Sequence, residues 1–324
     1  MLKPEFDLES IGINPGDIEK DAAELLNGSS PGSNFFIVKP VMEWNEEASQ
    51  RPIPNKLVDT LWFEGELCIC YADTNLGKSI LAVQISDSIT KGCQADIFTL
   101  EAGAQPVLYF DFELSDKQFQ TRYTDEYGNL YQFDSKFLRA EINPDTSKPD
   151  QFPTVDDFII YSIEHEIIRT GVKIVIVDNI TYLRSETEKA KDALPLMKLL
   201  KDLKKKYHLS ILVLAHTPKR DQMKPITRND LAGSKMIINF CDSAFALGES
   251  CRDKSLRYIK QMKQRNCENT YDSENVIVME LKKAAGFLGF HFHSYGQERE
   301  HLKDQNEKDH QNRLNQALLL RDEG

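Results

Sequence analysis

The residues Ala72-Asp73-Thr74-Asn75-Leu76-Gly77-Lys78-Ser79 constrain this chain more than any other segment. Ahead of them, Glu66-Leu67-Cys68-Ile69-Cys70-Tyr71 reads as a short buried strand. After them, Ile80-Leu81-Ala82-Val83-Gln84-Ile85 is apolar at helical spacing. A strand that turns through Gly-Lys-Ser into a helix aims backbone N–H groups and a helix N-terminus at one point, which suits a phosphate. In that reading Ala72, Asp73, Thr74, Asn75, Leu76 and Gly77 cradle the phosphates of a nucleotide. Lys78 neutralises the β- and γ-phosphates, and the Ser79 hydroxyl ligates Mg2+. The alternative is an ordinary glycine-containing turn, against which the flanking strand and helix both argue.

From residue 57 onward, strand and helix alternate. Apolar, β-rich runs occur at 67–71, 107–112, 174–177 and 211–215, with amphipathic stretches such as 155–169 and 186–207 between them. Continuous apolar strands separated by helices predict an α/β fold, a mostly parallel sheet covered on both faces. After Asp242 the strands become closely spaced, at 243–247, 256–263, 276–281 and 287–293. These are expected as an antiparallel extension on one edge of the sheet. Residues 1–55 carry Gly, Pro, Ser and Asn clusters with an acidic excess, and read as a loosely structured arm with one short helix near 17–26. The core is expected over 56–295, followed by a charged, helical tail over 296–324.

The net charge of -11 means that the surface as a whole repels nucleic acid, so any such contact needs a local basic loop. The cysteines, at 68, 70, 93, 241, 251 and 267, form no CxxC pair and have no His at metal spacing, which predicts reduced, mostly buried thiols. No apolar run reaches membrane-spanning length and the N-terminus does not start as a signal peptide, so the expected location is cytoplasmic.

Carboxylates and polar residues recur at the ends of the apolar strands. Glu113 lies just past the strand 107–112, where ligands bind in parallel α/β sheets, and a carboxylate there can polarise the water that attacks a γ-phosphate. Two alternatives stand beside it: Glu113 caps the next helix with Ser115, or the mid-strand Asp111 takes the role. Ile174-Val175-Ile176-Val177-Asp178 is an apolar strand closing on an acid suited to holding Mg2+ beside Ser79. His216 follows the strand 211–215 and can sense a γ-phosphate, or is simply a satisfied polar group. The loop 217–228 carries Lys219, Arg220, Lys224 and Arg228 against Asp221, and reads either as a contact for single-stranded or duplex DNA or as a solvated loop. Lys263 and Arg265 fall on one side of the strand end Lys263-Gln264-Arg265, placed to reach a neighbouring subunit's phosphate or to discourage edge pairing.

With these residues assembled, the chain resembles the RecA-like hexameric ATPases, nearest the DnaB-type helicases and the plasmid RepA-type ATPases. Phe63-Glu64-Gly65-Glu66-Leu67 followed by 72–79 is similar to the helicase loop entry, where Ala at the first loop position is usual. Residues 108–115, with Glu113, are similar to the strand carrying the family's catalytic glutamate. Lys224-Pro225-Ile226-Thr227-Arg228-Asn229-Asp230-Leu231-Ala232-Gly233-Ser234 is similar to its basic loop and Gly-Ser helix start, and Lys263-Gln264-Arg265 to its trans-acting Lys-x-Arg finger. His216, with Lys219 and Gly233-Ser234, is closer to the RepA-type branch. The resemblance covers about residues 55 to 290 and departs from the DnaB pattern in two places. About 55 loosely patterned residues cannot hold the helicase N-terminal domain, and Asn75-Leu76 replaces a glycine-rich loop centre, which predicts a stiffer loop.

The resemblance implies a RecA-like core, ATP and Mg2+ as cofactors, and a homo-oligomeric ring such as a hexamer. It further implies an ATPase associated with DNA, serving replication or mobilisation of a genetic element, with Glu113, Lys78, His216, Lys263 and Arg265 catalytic and Ser79 and Asp178 on the metal. The competing expectation is a nucleotide-switched regulator or scaffold without helicase activity; a metabolic P-loop kinase is disfavoured because no acceptor-binding lid is apparent. The C-terminal residues 311–324 read as the first helix of a helix-turn-helix module cut short, or as a plain amphipathic helix.

Overall fold

Alternate residues of the apolar strands enter two separate cores, one on each face of a single sheet. The computed structural model describes residues 36–180, 193–218, 220–231 and 234–303. The chain divides into two units, Met1–Ile53 and Pro54–Gly324. In the first, the described part centres on helix α1 (Val41–Ser49), none of whose residues is buried. Lys39 pairs there with Glu43 at 3.4 Å and with Glu47.

The second unit begins with an antiparallel pair, β1 (Lys56–Val58) and β2 (Trp62–Phe63). Its main sheet takes strands β3 (Leu67–Ala72), β4 (Val107–Asp111), β5 (Phe137–Ala140), β6 (Ile174–Asp178), β7 (Ser210–His216), β8 (Ser243–Glu249), β9 (Leu256–Lys263), β10 (Val276–Ala284) and β11 (Phe287–Gly296). Their spatial order is β11-β10-β9-β8-β3-β7-β6-β4-β5. From β8 to β5 neighbours run parallel, and β9, β10 and β11 add antiparallel at the other edge. Helices α2 (Lys78–Lys91), α3 (Asp116–Arg122), α4 (Val155–Thr170), α5 (Ala193–Tyr207) and α6 (Ser234–Phe240) fill the connections.

On one face, Leu67, Ile69, Val175, Val177, Ile211 and Val213 pack with Ile163 and Ile167 of α4 and Leu196, Leu200 and Leu203 of α5. On the other, Cys68, Cys70, Ile174, Ile176, Leu212 and Leu214 pack with Ile80, Leu81, Ile85 and Ile89 of α2. Each fully buried aliphatic side chain contributes roughly 1.5–3 kcal/mol, so the central strands and α2 form a rigid base for the loops above them. Glycines in the left-handed conformation, Gly92 and Gly171, end α2 and α4.

The structure bears out the α/β, RecA-like reading and corrects details within it. β8 runs parallel to β3 instead of opening the antiparallel extension, because α6 lies between β7 and β8 and supplies the crossover that a parallel neighbour needs. β5 escaped the pattern: its side chains are all half-buried and the strand is too short to show a period. The segment from 296 begins not as a charged helix but as a short 3₁₀ turn, Glu298–His301, with Glu298 and His301 buried. Glu298 pairs in the interior with Lys260 of β9 at 2.6 Å, which is why this stretch stays on the core. Cys68, Cys70 and Cys241 are buried and Cys251 partly so, whereas Cys93 and Cys267 are exposed; all are free thiols. The expected helix at 17–26, the terminal helix at 311–324, Lys219 and Gly233 lie outside the described residues.

Candidate active site

The strand order β3-β7-β6-β4 sets side by side the C-terminal ends that carry the loop 72–79, His216, Asp178 and Glu113. Register fixes the details: Ala72 pairs with His216, and Asp111 with Asp178. β7 therefore stands between the phosphate-binding loop and the acidic strand ends.

The loop needs left-handed backbone at two points, Asn75 (φ 64) and Gly77 (φ 97). Asn tolerates that conformation better than most non-glycine residues, so Asn75 makes a turn for which glycine is the usual choice. Gly77 has a second constraint: a Cβ there would lie 2.8 Å from Cζ of Phe290 on β11. Leu81 N–H donates to Gly77 O at 2.9 Å, which starts α2 directly from the loop. Lys78 is buried, and its Nζ donates to Ala72 O at 3.1 Å and Asp73 O at 3.0 Å. It also lies 3.0 Å from His216 Nδ1. Burial pushes this amine below the ordinary lysine range.

Lys78 has only hydrogens to offer, so His216 Nδ1 accepts and its Nε2 carries the proton. Nε2 is 3.0 Å from Glu113 Oε1, and Asn179 Nδ2 donates to the same oxygen. Asn179 Nδ2 and His216 Nε2 stand 3.0 Å apart, converging on one acceptor. The hydrogen bond from His216 holds the Glu113 carboxyl below the usual carboxylate range despite partial burial. Glu113 thus sits as a carboxylate at the end of a chain of contacts that begins at Lys78.

The two alternatives for Glu113 resolve in the geometry. Ser115 and Gln118 form the capping box of α3 by themselves. Asp111 is buried and accepts from the backbone N–H groups of Glu113 at 3.1 Å and Leu114 at 2.9 Å, so it shapes the turn and does not face the loop.

Asp178 is buried at the end of β6, where Tyr109 donates to its Oδ2 at 2.5 Å and the Ser79 hydroxyl also donates to it. Burial outweighs both bonds and pushes the carboxyl up to about 6. The Asp178–Asn179 peptide is cis. Ser79 and Asp178 form a hydroxyl–carboxylate pair beside the loop that matches the hard-oxygen preference of Mg2+. Among the described residues no cluster of three or more His, Cys, Asp or Glu could hold a metal unaided. A Mg2+ that takes its remaining ligands from phosphate and water fits this donor set.

Lys263 and Arg265 are not brought to this site. Lys263 pairs with Ala244 near the start of β8, at the end of the strands opposite the loop 72–79. Its Nζ donates to Ile238 O and Cys241 O, each at 2.7 Å, and Arg265 Nη1 meets Asp242 Oδ1 at 3.0 Å. Arg265 lies in the bend after β9, so alternation along the strand does not set its direction; both cations meet the segment 238–242, and Arg265 is half exposed. In the loop 217–228, Arg220 donates to Lys224 O at 2.7 Å and Arg228 to Met262 O at 2.8 Å. Lys224 projects into solvent, with Asp221 4.0 Å away. Ile226 is pinned on both sides, its N–H donating to Glu298 and its carbonyl accepting from Lys260.

Sequence reasoning passed over Tyr109, Asn179 and Arg139. Asn179 carries a local signal, since it directly follows the acid of β6. Arg139 carries none: it reaches Asp111 only through the pairing of β5 with β4.

A family profile described as an AAA domain matches residues 38–222, more than half of the chain, and spans the loop, Glu113, Asp178 and His216. No curated protein matches the sequence. Among the described residues, no helix is long and apolar enough to cross a membrane.

Proposed function

The chain belongs to the AAA domain family of P-loop ATPases, which carries ATP binding and hydrolysis, and from that premise we propose a DNA-associated, oligomeric ATPase of the RepA type. On this reading it serves replication or mobilisation of a genetic element. The observation that carries the proposal is the run of contacts Lys78–His216–Glu113, closed by Asn179. It links the residue that meets the phosphates to the base that activates water, through a histidine at the root of the loop 217–228.

Glu113 takes a proton from the attacking water as that oxygen bonds to the γ-phosphorus, and the bond to the ADP oxygen breaks. Lys78 leaves Ala72 O and Asp73 O to meet the β- and γ-phosphates, and the helix N-terminus of α2 adds its partial positive charge. Ser79 and Asp178 would hold Mg2+, which when bound neutralises charge on the phosphates. When Lys78 moves to phosphate, His216 loses a donor, and its new position passes along β7 to the loop 217–228. Lys263 and Arg265 lie far from their own loop 72–79, and the same reading assigns them to the phosphates of a neighbouring subunit in a ring such as a hexamer.

A second reading, a nucleotide-switched regulator that assembles without translocating, has its own support. The net charge is -11, and Arg220 and Arg228 spend hydrogen bonds on their own chain. Two measurements separate the readings. ATPase activity that rises with protein concentration and with single-stranded DNA supports the first; activity indifferent to DNA favours the second. Mixing Arg265→Ala with Glu113→Gln protein should recover turnover that neither has alone, and a mixture that stays inactive argues against a shared site.

A further inference from the structure

Glu113 is half exposed, and among the described residues its carboxylate bonds to His216 and Asn179 across the site, so the position of its backbone decides where the carboxylate lies. That backbone is a turn between β4 and α3. The capping box of Ser115 and Gln118 holds the helix and leaves residues 112–114 to other partners. Asp111 Oδ1 takes the N–H groups of Glu113 and Leu114. Asp111 Oδ2 accepts from Arg139 Nε at 2.9 Å, and Arg139 Nη2 lies 2.9 Å from the same oxygen. Arg139 Nη2 also donates to Leu114 O at 2.7 Å, so one ion pair holds the turn by both its donors and its acceptor. The Asp111 side chain is wholly buried, where a carboxylate without a cation is costly. Arg139 is itself fixed, with its guanidinium 4.7 Å over the Phe119 ring of α3 and Nη1 on Glu141.

We propose that Arg139, acting through Asp111, is a positioning residue that holds the Glu113 turn in register with His216 and Asn179. The inference deepens the proposed function and rests on Glu113 being the base. β5 is the edge strand of the sheet, so the pair fastens the catalytic turn to an element that otherwise has no part in the site. Among the described residues, the partners of Arg139 are Asp111, Leu114, Glu141 and Phe119, away from Lys78 and the loop 72–79, so its loss should spare nucleotide binding. A displacement of about 1 Å in a reacting group costs on the order of 100-fold in rate.

The test compares full-length wild-type protein with Arg139→Gln, Arg139→Lys, Asp111→Asn and Glu113→Gln. It reads kcat and KM for ATP together with the affinity for a fluorescent, non-hydrolysable ATP analogue. Arg139→Gln should lower kcat about 10- to 100-fold while KM and analogue affinity stay within about 2-fold, and Arg139→Lys should recover part of kcat. Asp111→Asn, which keeps the amide acceptor and loses the charge, should resemble Arg139→Gln and stands in for it if that variant does not fold. Wild-type kcat in Arg139→Gln or Asp111→Asn, with Glu113→Gln inactive, overturns the positioning role alone. Parallel loss of analogue affinity and kcat overturns it too, since that marks a general structural role. Wild-type turnover in Glu113→Gln removes the reading of Glu113 itself and the inference with it.

Discussion

Tyr109→Phe removes one oxygen from the candidate site and leaves its packing in place. The Tyr109 hydroxyl is buried in β4 and donates to Asp178 Oδ2 at 2.5 Å. Burial holds the Asp178 carboxyl at about 6, and the Tyr109 and Ser79 bonds keep it from rising further. A hydrogen bond to an ionised acceptor is worth roughly 1.5–3 kcal/mol, against roughly 0.5–1.5 for a neutral one. The difference, about 1 to 1.5 kcal/mol, corresponds to about one pKa unit. Asp178 in the variant should therefore titrate about one unit above its wild-type value of about 6. At a pH near 6, the ionised fraction falls from about one half to about one tenth. Mg2+ needs the carboxylate, so the acid limb of kcat/KM, measured at limiting Mg2+, should move up by about one unit. Saturating Mg2+ should draw both limbs to lower pH, because the cation favours the ionised form. Stability follows the same sign. The folded state keeps the Asp178 proton more tightly than the unfolded chain, so stability declines as pH rises from about 4 to about 6. The variant should lose more stability above that window than below it. An acid limb that stays in place, with only a uniform drop in rate, would refute the coupling of Tyr109 to Asp178.

Gly77→Ala should abolish binding of a fluorescent ATP analogue, since it meets both φ 97 and the Phe290 ring 2.8 Å away. Adding Phe290→Ala relieves the contact and not the backbone strain, so the double variant should recover little; full recovery would show the clash to be the whole cause. Lys260→Met should destabilise the protein by about 3 kcal/mol in urea unfolding, because it leaves the buried Glu298 without its cation. Pairing it with Glu298→Leu should restore part of that loss, and a single variant as stable as wild type would contradict the account of the loop anchor.

The centre of the sheet was legible because β3, β6 and β7 are apolar along most of their length. Cys68-Ile69-Cys70 and Ile174-Val175-Ile176-Val177 suit a sheet covered on both faces, and they lead into the loop 72–79 and Asp178. The phosphate-binding loop and Asp178 were legible for the same reason: short-range context defines them. What stayed hidden depends on pairing between segments distant in sequence. Nothing local to Phe137-Leu138-Arg139-Ala140 announces a strand, and Arg139 gains its partner only when β5 docks on β4. The direction of β8 was misread because closely spaced strands suggest hairpins, while the short helix α6 that reverses the chain is a weak sequence signal. Lys263 and Arg265 illustrate a third case. Alternation reads them onto one side, but the strand ends at Lys263, and their distance from their own loop 72–79 needed the sheet order.

On the proposed function, Glu113, at the end of the chain from Lys78 through His216, is the base of an ATPase. Glu113→Gln keeps the shape of the side chain and removes its basicity. The most direct measurement is a single-turnover experiment on this variant, following labelled ATP binding and phosphate release in the same sample. The account predicts ATP bound with wild-type affinity and phosphate release slowed by about 100-fold or more, the usual scale for loss of a general base. Phosphate release at the wild-type rate would contradict it.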